Sequence, residues 1–268
     1  MDIFSQDSSP KIMGILNVTP DSFSDGGKFF SSQFAIKQAR LMIEEGADII
    51  DIGGESTRPG AKPVSVQEEL DRVIPVVEQI RAEFPTSISV DTSKSVVMQE
   101  AIKVGADIIN DIMALRGENS LATVANSEVK VCLMHIQGEP RTMQNEPHYD
   151  DVVSEVKDFL LTRIQACLDA GIKTDRIIID PGFGFGKTLE HNLTLMRKLT
   201  NLTELNYPVL IGVSRKSMIG ALLNKPVTER LHGGIALAVL AVNRGAKIIR
   251  THDVATTIDA IKIAQAVI

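Results

Sequence analysis

The stretch Gly46-Ala47-Asp48-Ile49-Ile50-Asp51 recurs as Gly105-Ala106-Asp107-Ile108-Ile109-Asn110 and as Gly245-Ala246-Lys247-Ile248-Ile249-Arg250, with a looser copy from Gly171 to Asp180. Each copy reads as one joint. A left-handed Gly ends a helix, a short apolar run follows as a strand covered on both faces, and a polar residue stops it. Helical periods lie outward from these joints: Ile36, Ala39 and Ile43; then Val73, Val76, Val77 and Ile80; then Val152, Val156, Phe159, Ile164 and Leu168. Ser65-Val66-Gln67-Glu68 has the form of a capping box and marks the start of the second helix. Eight runs have strand length: 12–16, 49–52, 87–90, 108–109, 131–134, 177–179, 209–213 and 248–249. Strands alternating with helices imply a parallel sheet, and eight repeats without a break in composition imply an α/β chain folded as a single (β/α)8 TIM barrel over residues 1–268. An open doubly wound sheet would need a glycine fingerprint after the first strand, where Asn17-Val18-Thr19-Pro20-Asp21 stands instead.

Composition narrows the functional classes. The 268 residues carry 44% hydrophobic and 23% charged side chains, ordinary for a globular protein. A net charge of −6, two Tyr and no Trp argue against a nucleic-acid partner, which would call for a basic stripe and stacking aromatics. No apolar run is long enough to span a bilayer, and the first residues lack the pattern of a secretory signal, so a cytoplasmic location without membrane attachment is expected. Cys132 and Cys167 have no paired spacing and are expected to be buried, reduced thiols.

In such barrels the loops after the strands hold the active site. The polar residues that end the runs are Asn17; Glu55-Ser56-Thr57-Arg58; Asp91; Asn110-Asp111; His135; Asp180; Ser214-Arg215-Lys216; and Arg250 with His252. A lone Asp or Asn after a strand often just caps the next helix, but here all eight strand ends are polar. Asp91, Asn110 and Asp180 can pair with the adjacent donors and acceptors of a flat heterocycle. Arg58, Arg215, Lys216, Arg250 and His252 reverse the overall charge locally and suit a phosphate or diphosphate.

Gly182-Phe183-Gly184-Phe185-Gly186-Lys187-Thr188 imitates the end of a nucleotide-binding P-loop, yet Pro181 occupies the place of the first glycine, and we read no such loop. Phe185 is expected to lie against a planar substrate. His135, His148, His191 and His232 show no zinc spacing and are expected to be structural or solvated. Any metal is expected to be Mg²⁺ carried by phosphate oxygens, with Asn17 as its protein ligand.

The stretches 17–27 (Asn-Val-Thr-Pro-Asp-Ser-Phe-Ser-Asp-Gly-Gly) and 53–60 (Gly-Gly-Glu-Ser-Thr-Arg-Pro-Gly) resemble the two long signatures of the dihydropteroate synthases. Further matches are Val90-Asp91-Thr92, Asn110-Asp111, Leu133-Met134-His135, 180–187, 212–217 and Arg250-Thr251-His252, so the resemblance covers nearly the whole chain. It implies condensation of 6-hydroxymethyl-7,8-dihydropterin diphosphate with p-aminobenzoate in folate biosynthesis, by a homodimer using Mg²⁺. By matching position, it implies that Asp91, Asn110, Asp180 and Lys216 hold the pterin, that Arg250 stacks on it, and that Met134 and Phe185 line its pocket. It assigns the diphosphate and Mg²⁺ to Asn17, Arg58, Arg250 and His252. The p-aminobenzoate site falls to Phe23, Thr57, Pro59, Ser214, Lys216 and Phe185. Among these, Asp91, Asp180, Lys216 and Arg250 are the expected catalytic groups. The departures, Glu139, Thr251 and a slightly short stretch after Gly27, are expected to lie away from the site. Three alternatives remain at this point: a methyl-transferring pterin barrel, a Schiff-base aldolase built on Lys216, and a catalytically silent binding module.

Overall fold

The computed structural model describes residues 9–19, 28–57 and 60–267, with side chains of the first helix from residue 33 onward. Among them eight parallel strands alternate with helices. The strands are β1 (Lys11–Asn17), β2 (Ile49–Gly53), β3 (Ser87–Asp91), β4 (Ile108–Asp111), β5 (Lys130–Met134), β6 (Ile177–Asp180), β7 (Leu210–Ile211) and β8 (Ile248–Thr251). The larger helices are α1 (Lys28–Glu44), α2 (Val66–Glu83), α3 (Ser95–Lys103), α5 (Val152–Asp169), α6 (Leu189–Arg197), α9 (Leu231–Asn243) and α10 (Val254–Val267). Shorter ones are α4 (Ser120–Ala125), α7 (Thr200–Thr203) and α8 (Ser217–Leu223). The sheet runs β6-β5-β4-β3-β2-β1-β8-β7 and closes through a parallel bridge between Ile179 and Val209. The barrel expected from the sequence is therefore present, with all eight strands where the apolar runs lie. β7 is shorter than its run: Val209 pairs with Ile179 only as an isolated bridge, and the backbone N–H of Lys216 turns back to the carbonyl of Val213 where the run ends.

The repeated joint works as the sequence implied. Gly46, Gly105 and Gly245 have φ of +102°, +101° and +93° at the helix ends. The Asp of each acidic joint then stitches neighbouring strands together: Asp48 Oδ2 accepts from the Ile12 N–H and Asp107 Oδ2 from the Ile88 N–H, both at 2.8 Å. These aspartates stand at the N-terminal ends of the strands and serve stability.

Alternation along the strands sorts the interior into two regions. Ile50, Ile52, Ile88, Val90, Ile109, Val131, Leu133, Ile177, Ile179, Ile211 and Ile249 face the helices and belong to one large apolar cluster. Their neighbours face the barrel axis. Met13, Ile49, Ile108, Cys132, Ile178, Leu210 and Ile248 form the lower lumen. One or two pleats further on, the inward positions are Asp51, Asp91, Asn110, Met134, Asp180 and Arg250. The lumen thus turns from apolar to polar as it nears the C-terminal ends of the strands.

Candidate active site

Arg250 of β8 stands at the centre of this polar layer. Its Nε donates to Asp51 Oδ2 at 2.6 Å and its Nη2 to Asp91 Oδ2 at 2.9 Å. Asn110 Nδ2 reaches the same Asp51 oxygen at 3.3 Å, so β2, β3, β4 and β8 meet in one network. Across the mouth, Asp180 Oδ1 accepts from the Gly182 N–H at 2.7 Å. Lys216 donates to the Phe183 carbonyl, and its Nζ lies 4.7 Å from the centre of the Phe185 ring. Met134 packs with Ile112, Ile136, Met143 and Phe185 into an apolar patch beside these charges. A planar heterocycle entering here would meet carboxylates and amides at its edge and apolar side chains on its faces.

Burial sets the charge states. Desolvation raises Asp91 to about 7; the Arg250 guanidinium opposes that shift, whereas Asp51, Glu69 and Asp111 add to it. Desolvation likewise raises Asp180, against the pull of Lys216. Lys216 is lowered to about 8 by burial, with Asp180 opposing and Arg250 reinforcing. Asp91, Asp180 and Lys216, packed into one mouth, are each shifted by burial from their ordinary values, a pattern that marks functional sites.

The loop after β6 is held by geometry that only glycine satisfies. A Cβ on Gly182, at φ +67°, would lie 1.9 Å from the His135 carbonyl oxygen, and one on Gly186, at φ +60°, would lie 2.3 Å from that of Gln137. Inside the loop the buried Lys187 Nζ contacts His135 Nδ1 at 2.9 Å and donates to the carbonyls of Gly182 at 2.9 Å and Phe185 at 3.0 Å. The P-loop likeness therefore fails structurally, since this lysine is turned into the protein. His135 is structural, as expected: burial and the neighbouring lysine lower it to about 2, so it stays neutral.

Ser214 and His252 form a second pair, with the Ser214 hydroxyl 3.0 Å from His252 Nδ1 and accepting from the His252 backbone N–H at 3.2 Å. Asn17 ends β1, and its Oδ1 faces Gly53 at the end of β2. Thr57 lines a cavity of about 380 Å³ together with Glu55, Ser56, Asp91, Ile112 and Met113. Phe23, Arg58 and Pro59 lie outside the described residues. Arg215 departs from the cationic group: it is turned to Asp253, with Nη2 at 2.5 Å from Oδ1. Glu139, expected away from the site, lines the same cavity as Asp91, whereas Thr251 is buried against Thr257.

Two buried charged positions of this network are not legible in the sequence. Asp51 was treated as the end of a joint, and its signal was the strand alternation, which turns an acid between Ile50 and Ile52 into the lumen. Lys187 was absorbed into a rejected motif. For Mg²⁺ the donor set is informative. Among the described residues no three His, Cys, Asp or Glu side chains converge on a metal position. The neutral oxygen of Asn17 fits a hard cation whose remaining ligands come from a substrate.

Fold and site together define a barrel enzyme whose mouth gathers hydrogen-bonding side chains beside an apolar patch, as suits a flat heterocycle. The family model described as pterin binding enzyme matches residues 13–252. A dihydropteroate synthase of Haemophilus influenzae is 58% identical over 97% of this chain and 94% of its own. Among solved structures, the Yersinia pestis dihydropteroate synthase in a sulfonamide drug complex has a TM-score of 0.92 at 50% identity, covering 97% of this chain and 94% of that one. The Xanthomonas albilineans enzyme with 4-aminobenzoic acid matches with the same TM-score and identity, over 98% and 94% of the two chains. The chain belongs to the dihydropteroate synthases. That membership sets aside the methyl-transfer, Schiff-base and silent-module alternatives.

Proposed function

We propose that the polar upper lumen is the pterin pocket and that the groups around it divide the work of dihydropteroate synthesis. The reaction joins 6-hydroxymethyl-7,8-dihydropterin diphosphate to p-aminobenzoate and releases pyrophosphate. What carries this reading is the convergence of Asp91, Asn110, Asp180 and Lys216 on one mouth around Arg250. Asn110 and the two carboxylates bind the donor edge of the pterin, Lys216 meets its acceptors, and Met134 and Phe185 cover its faces. As the bond from the exocyclic methylene to the diphosphate breaks, positive charge spreads into the ring. Asp91 and Asp180, already fixed and largely shielded from water, stabilise that charge without reorganising. Arg250, Arg58 and His252 draw on the leaving anion, and Asn17 would help hold Mg²⁺, which neutralises diphosphate charge when bound. Thr57, with Phe23, Pro59 and Ser214, orients the attacking amine.

We assign the protein to the cytoplasm as a homodimer. The two buried free thiols suit a reducing compartment. No helix is long and apolar enough to cross a membrane among the described residues. In α9, only Ala238 and Ala241 are buried, and Leu240, Leu222, Leu223 and Val227 are exposed on and around α8 and α9, an apolar face suited to a second copy.

A pyrophosphate-release assay tests the function. Release is expected only when the pterin diphosphate and p-aminobenzoate are both present. Release without the amine, or none with both substrates, would overturn it.

A further inference from the structure

Lys94 breaks two local rules. It is the N-cap residue of α3 but makes no side-chain cap, where Ser, Thr, Asn or Asp would satisfy a free amide. It also sets a cation at the positive end of a helix dipole. Its ammonium group instead reaches back to two carboxylates, Glu55 in the loop after β2 and Glu69 of α2. Glu69 is only 1% exposed, and its second oxygen has no protein partner. A buried carboxylate of this kind depends on its cation.

The contacts around Glu55 show what the arrangement holds. Glu55 Oε1 accepts from the Val64 N–H at 3.2 Å, drawing the far end of the β2 loop back to its start. Arg72 of α2 donates to the Gly54 carbonyl at 2.9 Å. Gly54 is pressed so closely onto α2 that a Cβ there would lie 2.7 Å from Val73 Cγ2 and 3.0 Å from Glu69 Cγ. Two residues beyond Glu55, Thr57 lines the cavity beside Asp91.

We propose that Lys94 is a positioning residue which, through Glu55 and Glu69, fixes the base of the β2 loop and so sets where Thr57 meets p-aminobenzoate. The inference rests on the reading of Thr57 given above. It acts chiefly on the amine substrate: the ion pairs of Lys94 run to Glu55 and Glu69, and its one link to the pterin pocket is indirect, through the field of Glu69 on Asp91.

The test compares Lys94→Met and Lys94→Arg with the wild type. In Lys94→Met the KM for p-aminobenzoate is expected to rise about tenfold to a hundredfold, the range for a displaced orienting group. The affinity for the pterin diphosphate, measured by calorimetry, should stay within about threefold, and Lys94→Arg should restore most of the KM. Hydrogen exchange supplies a readout independent of turnover: the Val64 amide should lose protection in Lys94→Met and regain it in Lys94→Arg. Equal weakening of both substrates, or an unchanged KM with unchanged Val64 exchange, would overturn the proposal. Faster Val64 exchange with an unchanged KM would keep the anchor but sink the role assigned to Thr57. If Lys94→Met does not melt cooperatively, Glu55→Gln removes the ionic tie with a smaller perturbation and is judged by the same outcomes.

Discussion

Arg250 Nε and Asp51 Oδ2 are joined at 2.6 Å inside the barrel, where Asp51 is wholly buried and Arg250 is one-fifth exposed. The arginine is thus both a candidate catalytic group and the counter-charge of a buried acid. The desolvation penalty of a buried ion is met only while its partner is present. Replacing Arg250 therefore tests stability and turnover together, and Asp180 offers the cleaner comparison.

Arg250→Ala should abolish most turnover and also destabilise the fold by about 3–5 kcal/mol, the usual cost of orphaning one member of a buried pair. Asp180→Asn keeps an oxygen for the Gly182 N–H but removes the charge. It should lower turnover about 10²–10³-fold, or about 2.7–4 kcal/mol, at an unchanged or higher melting temperature. Thermal melts beside steady-state rates separate the two. A stable Arg250→Ala protein would refute the structural half of its role, and near-normal rates in both variants would refute the site.

Asp91 gives the protein a pH dependence whose sign is opposite to that of an ordinary paired carboxylate. Its folded value is about 7 against an ordinary 3.8, so between those limits the native state holds a proton that the unfolded chain has lost. Stability from this group is therefore full below about pH 4 and declines as pH rises toward 7. Asp91→Asn should melt above the wild type at pH 8, with the difference closing toward pH 4, while losing turnover. Parallel melting curves for the two proteins across that range would contradict this account.

The barrel was readable because a repeated joint carries its own physics: Gly46, Gly105 and Gly245 must be left-handed, and the run after each must be covered. The polar terminators pointed to Asp91, Asn110, Asp180, Lys216 and Arg250 for the same reason. Asp51 and Lys187 were missed because their importance lies in partners distant in sequence, Arg250 in one case and His135 in the other. Arg215 was over-read, since charge at a strand end does not say which way the side chain turns, and Asp253 takes it. The cover of the outer face of α9 is not legible in the sequence, because apolar periodicity cannot distinguish a barrel from a second copy.

That face yields a prediction about assembly. Leu240 is 40% exposed in the single chain. Leu240→Glu should shift the protein from dimer to monomer in sedimentation velocity without changing its circular dichroism. A wild type that sediments as a monomer at micromolar concentration would end the proposal.

The intact Phe23 and Pro59 lead to the expectation that the p-aminobenzoate site accepts a sulfonamide. Inhibition should be competitive, raising the KM for p-aminobenzoate while leaving the rate at saturating amine unchanged. A sulfonamide that lowers that limiting rate without affecting KM would place its site elsewhere.

Lys187 tests whether the β6 loop is held from within. Burial pushes its amine well below the ordinary lysine range, with Asp180 opposing and Lys216 reinforcing that shift, and its nearest partners are neutral: His135 and the carbonyls of Gly182 and Phe185. A methionine there has similar length but no donor, so two carbonyls lose a partner, at about 1–3 kcal/mol for each one left unsatisfied. The Tyr149 hydroxyl donates to the Gly186 carbonyl and the Asn192 side chain accepts from the Gly184 N–H, both from outside the loop. These contacts should keep Lys187→Met folded at a lower melting temperature. The catalytic loss should follow from displacement of Phe185 and of the Gly182 N–H that orients Asp180, and so should appear as weaker pterin binding. Calorimetry with the pterin diphosphate measures this directly, and an unchanged affinity in a measurably destabilised variant would show that the lysine supports the fold without shaping the pocket.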